Sequence, residues 1–304
     1  MSVTTSRVKA HRIFAKLSRD LARVTNDLPN KILCPLCLAS MPEEAIDLEE
    51  PMVTEEHIIP RNLGGTVTTL TCKRCNNNHG SALESHLIQM VRSNDSLSGL
   101  GGQTVRGWMD VLGDRLPVDM ELKPSANGPI CLVCRPFNPA VVAKVSSSLR
   151  SGSVDSIGIT VTTEYVPVRA YLGLFRIAYL EMFRRAGYGY ILSPAAGVIR
   201  QAIASFNDPP VEICYPLVSE LRGISPMPSK PLQVHYIEEG KAYSVLMTLV
   251  GDSKRHYVVT MPDARLRPDD VLQVLLNAGA TVVARRKVGS SFAPDANADR
   301  QRRN

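Results

Sequence analysis

No run of 18 apolar residues occurs in this chain, which argues against a membrane-spanning helix. The opening stretch MSVTTSRVKAHRIFAKLSRDL carries charges throughout and has no apolar core, so a secretory leader is not expected and the cytoplasm is the expected compartment. Cysteine is scarce, at seven in 304 residues, too few for a disulfide scaffold in a chain of this length. There is no internal repeat of the kind that marks solenoids or propellers. Charge of one sign does not dominate either: 35 Lys and Arg against 29 Asp and Glu leave a net +6. That mild excess permits a nucleic-acid partner without establishing one.

The fold class expected is α+β. A helix is predicted over residues 5–28, from Val8, Ile13, Phe14, Leu17, Leu21 and Val24 on one face and basic residues on the other. A second runs from Asn76 to about Val91, and the Gly-rich stretch 93–103 then reads as a boundary. Beyond it, strands are expected in TVRGWMDV, RLPVDMEL, GPICLVCRPF and IGITVTTEY. Helices follow at about 168–186, ended by Gly187, and at about 194–205. The last third adds strands in LQVHYIE, AYSVLMTLV and RHYVVTM, a helix at 268–278 and a strand in TVVARRKV. The division expected is a module at 1–95, a mixed α+β domain at 96–290 and a disordered tail at 291–304. Residues 96–290 announce no chemistry of their own.

Six of the seven cysteines fall in three C-x-x-C pairs. Cys34-Pro-Leu-Cys37 and Cys72-Lys-Arg-Cys75 are separated by 34 residues, and two such knuckles can place four thiolates around one Zn²⁺. A closed set of four sulfurs leaves no open position, so this zinc is expected to be structural. The third pair, Cys131 and Cys134, lies in an apolar strand-like segment and is expected to be buried without metal. Between the knuckles, residues 43–56 hold seven acidic residues and no basic one, which repels a phosphate backbone. His11, His86, His235 and His256 read as surface or satisfied core residues. The tyrosine- and arginine-rich helix with Arg176, Arg184 and Arg185 reads as core with a basic edge, and the alternative is that these and Arg200 extend a nucleic-acid track.

Glu55-Glu56-His57-Ile58-Ile59-Pro60-Arg61 reads as a strand end, Leu63-Gly64-Gly65 as a turn, and Thr66–Thr71 as a returning strand that leads into a helix. EHIIPRNLGG followed by CKRCNNNHGS resembles the HNH endonucleases, nucleases with a ββα-metal site, in their zinc-clamped branch. The resemblance covers about residues 30–90. It implies His57 as the general base and Glu56 as a ligand of a catalytic divalent ion, Mg²⁺ or similar. Asn76 is implied as the second ligand, with His79 and then Glu84 as alternatives. Cys34, Cys37, Cys72 and Cys75 are implied as the zinc clamp. The family's middle asparagine is missing from 66–71, where threonines stand, and Asn62 lies earlier in the turn. Arg61, Lys73 and Arg74 are placed to hold phosphates. The function implied is metal-dependent hydrolysis of phosphodiester bonds, with DNA as the expected partner. The competing readings are a zinc-stabilised protein that binds nucleic acid without cutting it, and a nuclease directed at RNA.

Overall fold

The computed structural model describes residues 3–98, 104–122, 130–135, 137–162, 164–208, 217–221, 230–238 and 240–287. Helices and antiparallel sheets are mixed along the chain, in keeping with an α+β class. None of the described helices is long and apolar enough to cross a membrane.

The described residues group into two compact units. One takes in 1–87 and 167–304 without 251–253, and the other takes in 88–166 with 251–253. The units therefore do not follow the boundaries expected at 95 and 290. Elements past residue 167 share a core with the N-terminal knuckles.

In the first unit, α1 (Val3–Leu21) buries Phe14, Leu17 and Leu21. It stops short of the expected residue 28. Thr25 and Asp27 bond to each other through side chain and backbone, a local alternative to helix typical of these residues. Two short strands, β1 (Lys31–Leu33) and β2 (Ser40–Pro42), pair antiparallel around the first knuckle. Next, β3 (Val53–His57) pairs with β4 (Thr68–Cys72), with His57 opposite Thr68 and Val53 opposite Cys72. Their connection turns tightly at Gly65, where a Cβ would run into the Ile59 carbonyl, so no other residue fits. The chain then enters α2 (Lys73–His79), passes through one π-helical turn at Gly80–Glu84, and continues as α3 (Ser85–Leu97).

A second long helix, α4 (Pro139–Ser151), belongs to the other unit and was not expected from periodicity. Its signal is local: Asn138 accepts from the Ala140 N–H at 3.0 Å, proline opens the helix, and Gly152 closes it at φ 68°. It covers one face of a four-stranded antiparallel sheet in the order β7-β6-β5-β8, made of β5 (Val105–Val111), β6 (Asp114–Leu122), β7 (Ile130–Cys134) and β8 (Gly158–Val161). Val105, Met109, Leu116, Val118 and Val145 form that core. Cys134 is only half-buried against it, and Cys131, expected inside, is exposed, because the two cysteines lie on opposite sides of edge strand β7.

The first unit is organised by α5 (Pro167–Ile191), which is buried around its whole circumference. Gly187 was expected to end it. The helix instead kinks there at φ 66° and resumes for another turn, because the Asp20 carboxylate accepts from the Tyr188 N–H at 2.7 Å. A Cβ on Gly187 would collide with that carboxylate. Against α5 pack α6 (Pro194–Ala204) and the sheet β10-β11-β12-β9, whose strands are β9 (Val218–Leu221), β10 (Leu232–Ile237), β11 (Ala242–Val250) and β12 (Lys254–Pro262). The final helix, α7 (Pro268–Lys287), absorbs most of TVVARRKV, which was expected as a strand. Its β-branched residues follow a helix already anchored by acidic Asp269 and Asp270 in its first turn and by buried Val271, Leu275 and Ala278 at helical spacing. The expected tail at 291–304 and Cys214 lie outside the described residues.

Candidate active site

The second knuckle turns backbone N–H groups toward sulfur. The Cys34 sulfur accepts from Cys72 N at 3.4 Å, and the Cys72 sulfur from Cys75 N at 3.4 Å. All four Sγ atoms lie within 4.8 Å of one another, and Cys37 and Cys72 are 3.7 Å apart. Sulfurs bound at about 2.3 Å to a tetrahedral ion stand about 3.8 Å apart, so the donor set fits a metal such as zinc. The charge state fits as well. The thiols of Cys37 and Cys72 are pushed down to about 4 and about 6, first by hydrogen bonds from Cys34, whose own thiol is pushed up by sharing its proton. Arg74 leans on this negative charge, and its hydrogen bond to Cys37 strengthens its hold on its proton. Two tyrosines of α5 hold the first knuckle in place. Tyr188 Oη donates to the Leu33 carbonyl at 2.8 Å and accepts from the Leu33 N–H at 2.9 Å, and Tyr179 Oη donates to the Pro35 carbonyl at 3.0 Å.

The clamp fixes the ends of the β3–β4 hairpin, and alternation along β3 divides its side chains. Glu56 points inward and is buried, while His57 at the strand end is half-buried. The His57 ring makes no hydrogen bond to the described residues. Burial, then the Arg61 and Lys9 cations, lower its pKa below the usual histidine value, so it is neutral at pH 7. Lys9 reaches this region from α1 and pairs with Glu55 at 2.7 Å. Asn76 is fastened to β3: its Nδ2 donates to Thr54 Oγ1 at 3.0 Å and to the Glu55 carbonyl at 3.3 Å. Asn62 is exposed in a short 3-10 turn at Arg61–Leu63.

Glu56 meets a guanidinium. Arg176, in the middle of α5 and 0% exposed, pairs with Glu56 through Nη2 and with Glu84 Oε1 through Nη1 at 2.6 Å. Burial pushes the Glu56 carboxyl up to about 7, against the opposing pull of Arg176. His79 is buried beside Phe206, and burial followed by Arg176 drives its pKa down to about 4, so it is a neutral ring. Its Nδ1, Glu56 Oε2 and Arg176 Nε are buried without a hydrogen-bond partner. Among the described residues, the four cysteines form the one group of three or more Cys, His, Asp or Glu side chains with metal-ligand spacing. Of the three oxygen and nitrogen donors expected for a divalent ion, Glu56 faces Arg176, Asn76 is tied to β3 and His79 lies beside Phe206.

Arg176 and Lys9 had not been read as parts of this site. Lys9 carries no sequence signal that separates it from the other bases of α1. Arg176 does: a lone cation in LGLFRIAYLEMF is a buried charge in need of a partner. The remaining candidate track lies at the edge of α5 and on α6, with Arg184 exposed and Arg185 and Arg200 half-buried, and its guanidinium groups are engaged within the protein. Arg184 and Arg185 each bond to the buried Glu181 at 2.7 Å, and Arg200 bonds to Tyr179 Oη and the Ile191 carbonyl.

A zinc-type clamp, a hairpin that ends in histidine and a helix launched from the second knuckle define a nuclease-like module. Residues 31–92 match the family model described as HNH endonuclease, and this segment is HNH-like in sequence. No curated protein and no solved structure matches the chain. HNH nucleases act on nucleic acids and use divalent metals, which makes nuclease activity and a nucleic-acid partner the coarse reading of the segment.

Proposed function

We propose that the chain is an endonuclease that hydrolyses DNA phosphodiester bonds, with His57 as the general base. The reading is supported above all by the state of His57: a neutral, half-buried imidazole at the end of a clamped hairpin, flanked by Arg61 and Lys9. A neutral imidazole takes a proton from water. The hydroxide oxygen then bonds to phosphorus, the bond from phosphorus to the 3′-oxygen breaks, and the leaving oxygen collects a proton. Arg61 and Lys9 bring positive charge toward the phosphate, and the exposed Arg74 and the half-buried Lys73 extend that charge along the helix start. Zinc held by Cys34, Cys37, Cys72 and Cys75 keeps the hairpin and helix in register and takes no part in the chemistry. Glu56 is paired with Arg176 and Asn76 is fastened to β3, so no step is assigned to an ion on Glu56, Asn76 or His79.

One observation favours a second reading. The module's family-position acid is already paired to Arg176, as suits a protein that grips nucleic acid and leaves it whole. Supercoiled plasmid and single-stranded RNA, incubated with the full chain in Mg²⁺ or Mn²⁺, separate these cases. Nicked or linear DNA that is lost with His57→Ala supports the proposal. Tight binding without any strand scission favours the second reading, and faster cleavage of RNA than of DNA moves the substrate.

A further inference from the structure

We infer that Arg176 is the resident cation of the acid site: its guanidinium, held between Glu56 and Glu84, occupies the position of positive charge and excludes a divalent ion from Glu56. Two observations and two points of general chemistry converge on this. Arg176 has no exposed surface, so it does not exchange with solvent ions. It spans two carboxylates from separate elements, β3 and the π-helical turn after α2, with one nitrogen on each. A guanidinium does not deprotonate in a protein, so the cation is permanent. A hard divalent ion also needs several oxygen ligands and usually keeps water, and a buried arginine between the two acids leaves room for neither.

The unpartnered atoms fit the same account. Glu56 Oε2 and His79 Nδ1 are donor atoms of the type a metal binds, and both are buried without partners, with Arg176 beside Glu56 and its charge felt at His79. The family position of Glu56 comes from the nuclease reading, on which this inference rests in that one respect. Its consequence is that any divalent ion that supports cleavage is held without Glu56. Arg176 is here a positioning residue that fixes β3 to α5, and it does not touch substrate.

The test reads metal and not cleavage, so a protein that fails to cut DNA removes the nuclease reading without touching this one. Mn²⁺ is titrated into the zinc-loaded full chain and followed by electron paramagnetic resonance. Wild type and Glu56→Gln are expected to bind Mn²⁺ with the same affinity. Arg176→Met is expected to bind it at least tenfold more tightly than wild type, and the gain is expected to vanish in Arg176→Met combined with Glu56→Gln. Zinc content and the melting transition report whether each variant is folded. If Arg176→Met does not fold, the comparison of wild type with Glu56→Gln decides alone. A tenfold loss of Mn²⁺ affinity on Glu56→Gln overturns the inference. So does a folded, zinc-retaining Arg176→Met that gains no affinity.

Discussion

The two ends of the β3–β4 hairpin solve the same electrostatic problem in opposite ways. At the clamp, four sulfurs crowd within 4.8 Å, with two thiols already inclined to ionise, and the negative charge calls for an ion from outside. At the acid cluster, two carboxylates converge and the chain supplies the cation itself, from a helix residue 92 positions beyond Glu84 in sequence. With a metal such as zinc on those sulfurs, metal binding and folding would be one event at the clamp. On the inference drawn above, the acid cluster takes no ion, and its cost is the desolvation of three charged groups.

Breaking each end should show this asymmetry, and the clamp should fail hardest. Cys72→Ser is expected to release zinc and unfold the hairpin, seen as loss of metal in elemental analysis and rapid proteolysis between residues 31 and 92. Retained zinc with native protease resistance would mean that three sulfurs suffice. His57→Ala should lower cleavage by about 10²–10⁴-fold, the range for general bases, while leaving zinc content and the melting transition in place. The pH profile carries the sign: the base must be unprotonated, so the rate falls as pH drops through the His57 pKa, which lies below 6.5. A profile with its acid limb above pH 7 would exclude His57 as that base.

The acid cluster should respond through stability. Arg176→Met strands Glu56 in the interior and is expected to cost about 3–5 kcal/mol in urea denaturation, the range for removing one partner of a buried pair. Glu84→Gln, at a partly exposed site, should cost markedly less. Smaller again is Tyr188→Phe, which deletes the hydroxyl bonded to both backbone groups of Leu33. About 1–2 kcal/mol is expected, with zinc retained. The smallest effect is at Lys9→Ala. Removing that cation should raise the His57 pKa slightly, measurable by NMR titration of the ring, and a downward shift would contradict the placement of Lys9 near it.

The clamp was legible in the sequence because metal-ligand spacing is local: each knuckle needs a two-residue gap, and the gap is printed in the chain. The place of His57 at a strand end was legible for a similar reason, within EHIIP and its flanking knuckles. The environment of Glu56 was not. Adjacent strand residues face opposite sides, and what lies on the inner side of β3 depends on how α5 packs, a contact between residues 56 and 176 that no short motif encodes. The buried arginine inside an apolar helix was the available clue, and it pointed to a missing acid partner rather than to a basic surface. At the scale of the fold, strand and helix periodicities held over most of the chain. They failed in 281–287, where β-branched residues follow an anchored helix, and at α4, where the caps speak more clearly than the apolar pattern.

The difference between the two sites comes down to which of them takes an ion from solution. The direct measurement is the metal content of the full chain after dialysis in Zn²⁺ and Mn²⁺ and removal of free ions. One zinc per chain that disappears with Cys72→Ser, and no manganese that depends on Glu56, is the expected result. A retained manganese ion that is lost with Glu56→Gln would contradict the account.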